Sequence, residues 1–302
     1  MAHHNHHDMQ GISQTHEGSS GDHSLDAVHA LDAIDWAAPW LATVAQWGQS
    51  LATKIVGGMP VYQALNQQWP AVLRAEGWRF VPQEALPAGM AYERFIREQR
   101  CIPTRDNLHD FFNGLIWLCW PQLKLHLNYL QSQAIASEGV KQHRGKLRDA
   151  ITVLDENGAL LLAPPPLVDA LRAKDWRRLM VELRPLWAQA CLWPVGHALL
   201  EKLVQPRKPM CAHVLCLPWD EGGNDLHSAH VPAALDARMA QDLLLSAEVL
   251  ATKPFSPLPI LGVPGWWQPN EDFSFYDDPL VFRSANSKTS LQQRGALQVT
   301  MS

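Results

Sequence analysis

The sequence predicts a mixed, mainly helical α+β fold with a small antiparallel sheet. Three observations carry this. Apolar residues recur at helical spacing in several separate segments, as with Trp36, Trp40, Val44 and Trp47. Prolines and glycines punctuate those segments, at Pro60, Gly77, Pro103 and Pro121. Between residues 151 and 162 two short apolar runs flank Asn157-Gly158, the signature of a tight β-hairpin turn.

The elements follow in order. Residues 1–24 form a polar tail with His3, His4, His6, His7, His16 and His23, too poor in apolar surface to order itself. A single globular domain is expected over 25–285, followed by a polar C-terminal tail over 286–302. Within the domain, helices are predicted over 34–49, 60–76 and 91–99, with a short strand over 78–81. Pro103 breaks the chain and Thr104 can cap a helix that runs to Trp120. Pro121 starts another helix, reaching residue 136. After the hairpin come helices over 166–173 and 175–187, a strand over 192–195, and a helix over 197–204. A strand over 211–217, a helix over 232–251 and an aromatic loop-rich segment complete the domain.

Composition bounds the function. The chain has 302 residues, 47% hydrophobic and 18% charged, with 13 tryptophans, which suits one large core. A net charge of -5 disfavours a broad nucleic-acid surface. The five cysteines contain no CxxC pair, so neither a disulfide framework nor a zinc ribbon is indicated, and reduced thiols fit best. No segment has the length and apolarity of a membrane span, and no apolar secretory stretch or lipidation motif is visible. A cytoplasmic location is the expectation. Phosphate-binding loops, nucleophile elbows and EF-hand loops are absent.

The most site-like segment is the predicted helix over 104–120. On a wheel of roughly 100° per residue, Asp106, His109, Asp110 and Asn113 fall within an arc of about 100°. The other positions are apolar, including Phe111, Phe112, Leu115 and Ile116, so the polar stripe must meet polar groups, water or a ligand. Imidazole and carboxylate on one face suit a divalent ion or acid–base chemistry. An ion-pair network with arginines such as Arg105, Arg144 or Arg148 accounts for the same stripe. His197 and Glu201 lie four residues apart on the next polar helix, a spacing that holds a metal or orients a His–carboxylate pair. His213, on a predicted strand, can approach the same place.

The sequence reading therefore assigns catalytic roles to Asp106, His109, Asp110, Asn113, His197 and Glu201, with His109, Asp110 and His213 as candidate ligands of a divalent metal. Arg148 and Lys202 are candidates for binding a small anionic ligand, and Trp266, Asn270 and Tyr276 for lining its cleft. The reaction expected is hydrolysis. A non-enzymatic binding or scaffold protein with a buried ion-pair network is the alternative.

Several motifs carry a resemblance. Pro103-Thr-Arg-Asp-Asn-Leu-His-Asp-Phe-Phe-Asn-Gly-Leu-Ile-Trp117 resembles the signature of the uncharacterised proteobacterial domain-of-unknown-function family 3025 (DUF3025). So do Arg144-Gly with Arg148-Asp-Ala, Asp155-Glu-Asn-Gly158, Gly196-His-Ala-Leu-Leu-Glu-Lys202, Pro209-Met with Ala-His213, and Pro264-Gly-Trp-Trp267 with Tyr276-Asp-Asp278. The similarity spans roughly residues 35–285. It departs at Cys211, where a hydroxyl residue such as Thr is expected, which speaks against a catalytic thiol there. The resemblance implies a bacterial source, one domain, and a shared pocket for these polar segments. It implies no reaction, cofactor or substrate.

Overall fold

A computed structural model describes residues 30–138, 145–219, 233–239, 241 and 245–284. The two predicted tails, residues 25–29 and 285 of the predicted domain, and Arg144 lie outside the described residues. The fold is α+β and mainly helical, as the periodicity predicts.

Helix α1 (Ala42–Val56) buries Val44, Leu51, Ala52 and Ile55 on one face. The helix predicted over 60–76 is two helices, α2 (Val61–Asn66) and α3 (Ala71–Ala75). Pro70 separates them, because its ring cannot continue a helix. Strand β1 (Arg79–Pro82) is tied to α2 by the Asn66 amide, which donates to Phe80 O and accepts from Phe80 N, both at 2.9 Å. Helix α4 (Tyr92–Gln99) crosses to strand β2 (Cys101–Thr104), which pairs parallel to β1.

Helix α5 (Leu108–Cys119) starts later than predicted. Thr104 is strand, and the cap is Asn107, whose side chain accepts from Asp110 N at 2.7 Å. Helix α6 (Pro121–Glu138) follows. Its first free N–H groups, on Gln122 and Leu123, donate to the buried Asp236 carboxylate, carried by α10 (Ala233–Met239).

The hairpin expected over 151–162 is instead a helix followed directly by a strand. Helix α7 (Lys146–Asn157) buries Ala150, Ile151 and Leu154, a helical spacing that outweighs the two-residue alternation. Gly158 has φ -80°, so the positive φ of a type I′ turn is not used. A side chain there would meet Leu154 O at 2.3 Å, so the glycine supplies room for a strand leaving close to its own helix.

Strand β3 (Gly158–Leu162) is buried at every position. It sits inside a four-stranded mixed sheet of order β4-β3-β5-β6. Strand β4 (Cys191–Pro194) runs antiparallel to it, β5 (Cys211–Cys216) parallel, and β6 (Ser256–Pro259) antiparallel to β5. The sheet is thus mixed rather than purely antiparallel. Helix α8 (Pro165–Ala173) leaves β3, and π-helical and 3-10 turns replace the helix predicted over 175–187, where Pro185 lacks a donor. Helix α9 (His197–Leu203) packs against both α5 and α7. The helix predicted over 232–251 appears as α10 and α11 (Ala247–Ala251), the latter capped by Ser246. Among the described residues, no helix is long and apolar enough to cross a membrane.

Candidate metal centre

Three elements meet at one wall of a cleft of about 370 Å³. Helix α5 supplies His109, the C-terminal turn of α7 supplies Asp155 and Glu156, and the first turn of α9 supplies His197. Their proximity rests on Gly196. A Cβ there would lie 2.5 Å from Glu156 O and from Gly158 N, so α9 begins against the backbone where α7 ends.

The two imidazoles converge. His109 Nε2 and His197 Nε2 are 3.0 Å apart, with ring centroids at 4.5 Å and the rings near perpendicular. Glu156 Oε2 lies 3.6 Å from His197 Nε2. One ligand atom from each of His109, Glu156 and His197 fits within 4.8 Å of the others. Ligands on a tetrahedral ion with bonds of about 2.0–2.1 Å are separated by roughly 3.3 Å, so these atoms can close on one cation with small adjustments.

Each imidazole is backed by a carboxylate on its far nitrogen. His109 Nδ1 bonds Glu201 Oε2 at 2.8 Å. Asp155 Oδ2 stands 3.8 Å from His197 Nδ1, which is buried and makes no hydrogen bond. A carboxylate behind a histidine turns the opposite nitrogen toward a metal and raises its basicity. Asp155 is held in turn by the Lys124 ammonium, and Lys124 Nζ also donates to Asn113 Oδ1 at 2.9 Å.

The electrostatics are uneven. Burial drives the His197 imidazole down to about 4, against the pull of Asp155. That ring is neutral at pH 7, the state a metal requires. The hydrogen bond that His109 donates to Glu201 raises the imidazole above its ordinary value, against desolvation. Burial would raise Asp155, but Lys124 and His197 outweigh it and hold its carboxyl low. Glu156 is raised, by burial first and by Asp155 second.

Of the residues singled out in the sequence, His109, Asn113, Asp110 and His197 line this cleft, and Glu201 supports it from behind. Asp110 is committed to Arg105: its carboxylate accepts from Arg105 N at 2.7 Å, Nε at 3.1 Å and Nη2 at 2.9 Å. Asp106 precedes the helix and accepts from Val61 N at 2.7 Å, capping α2. His213 lies on β5 opposite Gly158 and Pro257, outside the cleft, with Nδ1 buried and unbonded. Arg148 is not among the cleft's lining residues, and Lys202 Nζ donates to Asn157 Oδ1 at 3.0 Å.

The C-terminal aromatics are elsewhere too. Asn270 is wholly buried and donates to Leu261 O and Val263 O, both at 2.8 Å. Tyr276 donates to Gly262 O at 2.8 Å. Arg184 donates to both side chains, so this is a structural knot. Trp266 lines a separate groove of about 280 Å³ with Trp40 and Trp267.

Sequence reasoning missed Glu156, Asp155, Lys124 and Tyr92. Asp155-Glu-Asn-Gly158 reads locally as a turn, which hid two carboxylates on the last turn of a helix. Lys124 sits one residue before an apolar position on a nearly non-amphipathic helix and gives no local signal.

The family described as "Protein of unknown function (DUF3025)" matches residues 78–286, a span that contains all three converging side chains. No curated protein and no solved structure matches the chain.

Proposed function

Since the chain belongs to the DUF3025 family, a family of unknown function, we propose from the geometry that it is a metal-dependent hydrolase of small substrates. The ion would be a divalent transition metal held by His109, Glu156 and His197. The observation that carries this is the convergence of two Nε2 atoms and a carboxylate at a cleft, each imidazole having a carboxylate at its Nδ1. Two histidines and one glutamate with an open position are a catalytic zinc donor set, and zinc brings the pKa of bound water to about 7.

The chain's own residues do the rest. Glu201 holds the His109 ring by a hydrogen bond, and the Asp155 carboxylate faces Nδ1 of His197. The cleft's cations are already matched, Arg105 by Asp110 and Lys124 by Asp155. A 2+ ion would be balanced by the Glu156 and Glu201 carboxylates, so its open position, rather than a net positive charge, would take a substrate oxygen. Trp117 and Ile96 supply apolar walls.

A second reading has its own observation. The 3.0 Å contact between the rings is also the length of a hydrogen bond from a protonated His109 to a neutral His197. Glu201, His109, His197, Asp155 and Lys124 would then be a partly buried charge network of a non-enzymatic protein.

Metal content separates the two. Full-length wild type and His197→Ala, equilibrated with equimolar Co2+ and gel filtered, share the same His-rich N-terminal segment, so their difference reports the cleft. The hydrolase reading expects a tetrahedral Co2+ absorption band in wild type only, weakened about 10–100-fold in affinity by Glu201→Gln. Identical spectra in wild type and His197→Ala would leave the network reading.

A further inference from the structure

Tyr92, the first residue of α4, carries a hydroxyl that the metal set does not use. It lines the same cleft. Its one hydrogen bond among the described residues is accepted from Asn113 Nδ2 at 3.3 Å. The amide's orientation is settled by its other end: Lys124 Nζ can only donate, so Oδ1 faces Lys124 and Nδ2 faces Tyr92. The hydroxyl therefore accepts from the protein and has its own proton left for another acceptor. No described protein group takes it. Lys124, Asn113 and Tyr92 form a chain with every donor pointing the same way, a cation at its base and the phenolic proton at its tip.

The tip and the metal set line the same cleft. Asn113 follows His109 by four residues on α5, so their Cβ atoms are about 5–6 Å apart on one face. The proton also stays on the oxygen at neutral pH. Burial, with the Asp110 and Asp155 carboxylates nearby, pushes the phenol above its ordinary range. Both cleft cations are committed to carboxylates, which leaves recognition of a substrate oxygen to neutral donors such as this one.

We infer that Tyr92 donates a hydrogen bond to an oxyanion whose other oxygen binds the metal, so the site takes ligands with two oxygens on one centre. A carboxylate, a phosphoryl group and the tetrahedral adduct of water on a carbonyl share that chemistry. The inference rests on the metal reading of the site. Asn113 is a positioning residue, because it acts only through the hydroxyl it orients. In hydrolysis the donated hydrogen bond would strengthen as negative charge gathers on the substrate oxygen.

The test uses inorganic phosphate as a tetrahedral oxyanion probe. Full-length wild type, Tyr92→Phe and Asn113→Ala are loaded with Co2+, the contribution of the N-terminal histidines is subtracted with His109→Ala, and phosphate is titrated against the visible absorption band. All three are expected to take up Co2+ alike. Phosphate should bind about tenfold or more weakly to Tyr92→Phe, and about threefold more weakly to Asn113→Ala, because a hydrogen bond to a charged acceptor is lost or loosened. Equal phosphate affinity in wild type and Tyr92→Phe overturns the inference while leaving the metal reading standing. Should Tyr92→Phe lose its helical circular dichroism, Asn113→Ala decides in the same way. A wild type that takes up no cleft Co2+, seen before phosphate is added, removes the metal reading and this inference together.

Discussion

Gly196→Ala tests the joint that assembles the site. The added Cβ would stand 2.5 Å from Glu156 O, 2.5 Å from Gly158 N and 2.6 Å from Asn157 N. Ordinary contact begins at 3.4 Å, so relief needs a movement of roughly 0.9 Å. All three obstacles are backbone, and no rotamer change removes them. The movement would lengthen the bonds from Val195 N and Gly196 N to Gly158 O, now 3.0 and 2.9 Å. Two weakened backbone bonds at about 0.5–1.5 kcal/mol each, with an overpacking strain of about 1–3 kcal/mol, give a loss of about 2–6 kcal/mol. His197 is the next residue, so its Nε2 moves relative to Glu156 by a similar distance. A site needs its ligands within about 0.5 Å of position, so Co2+ affinity should fall at least tenfold. Equilibrium urea unfolding followed by tryptophan fluorescence gives the first number, and cobalt titration the second. A variant within about 0.5 kcal/mol of wild type, with unchanged Co2+ affinity, would refute the argument that α9 is docked through this glycine.

Two further outcomes follow from the same structure. Asp110→Asn should lower stability by about 2 kcal/mol in urea, near the low end for charged hydrogen bonds because the Arg105 side chain is 58% exposed and screened, while Co2+ uptake stays at the wild-type level; loss of uptake would make Asp110 a ligand and reverse its assignment as a clamp. His213 is held below its ordinary value by burial, so the unfolded chain binds its proton first as pH falls. Its contribution to stability is complete above an unfolded pKa of about 6.5 and is lost as pH falls through the folded value. The stability difference between wild type and His213→Leu should therefore shift against wild type between pH 7.5 and pH 5, and a pH-independent difference would count against the assignment.

Much of the helical framework was legible because it is written locally. Pro121 and the apolar period fixed the boundary between α5 and α6, and the i,i+4 spacing of His197 and Glu201 marked a real helix face. The wheel placed His109 and Asn113 together correctly. It could not tell which polar residues on the cleft are already paired: Asp110 shares their arc but is taken up by Arg105, a neighbour five residues away. Asp106 fell off the wheel because the helix begins after it, at an Asn107 cap that competed with Thr104. Asn157-Gly158 misled for a clear reason. A helix end and a hairpin turn both favour these residues, and the difference lay in the φ of Gly158, which depends on the strand partners it meets. Glu156 became visible as a site residue only when α9 was laid against the end of α7, a contact between residues some forty positions apart that no local pattern encodes.

The buried central strand has a consequence for how the molecule comes together. Strand β3 pairs with β4, some thirty residues later, and with β5, some fifty residues later, so its backbone groups stay unmet until distant chain arrives. Glu156 lies two residues before β3 and His197 three residues after β4. Closing that one antiparallel pair is the event that brings carboxylate and imidazole together, while His109 waits on a helix that local contacts can form earlier. A nascent chain that has not yet emerged past β4 carries His109 and Glu156 but lacks His197. During refolding, cobalt colour would mark the closing of this long-range pair rather than the first collapse, making the ion a clock for the slow step.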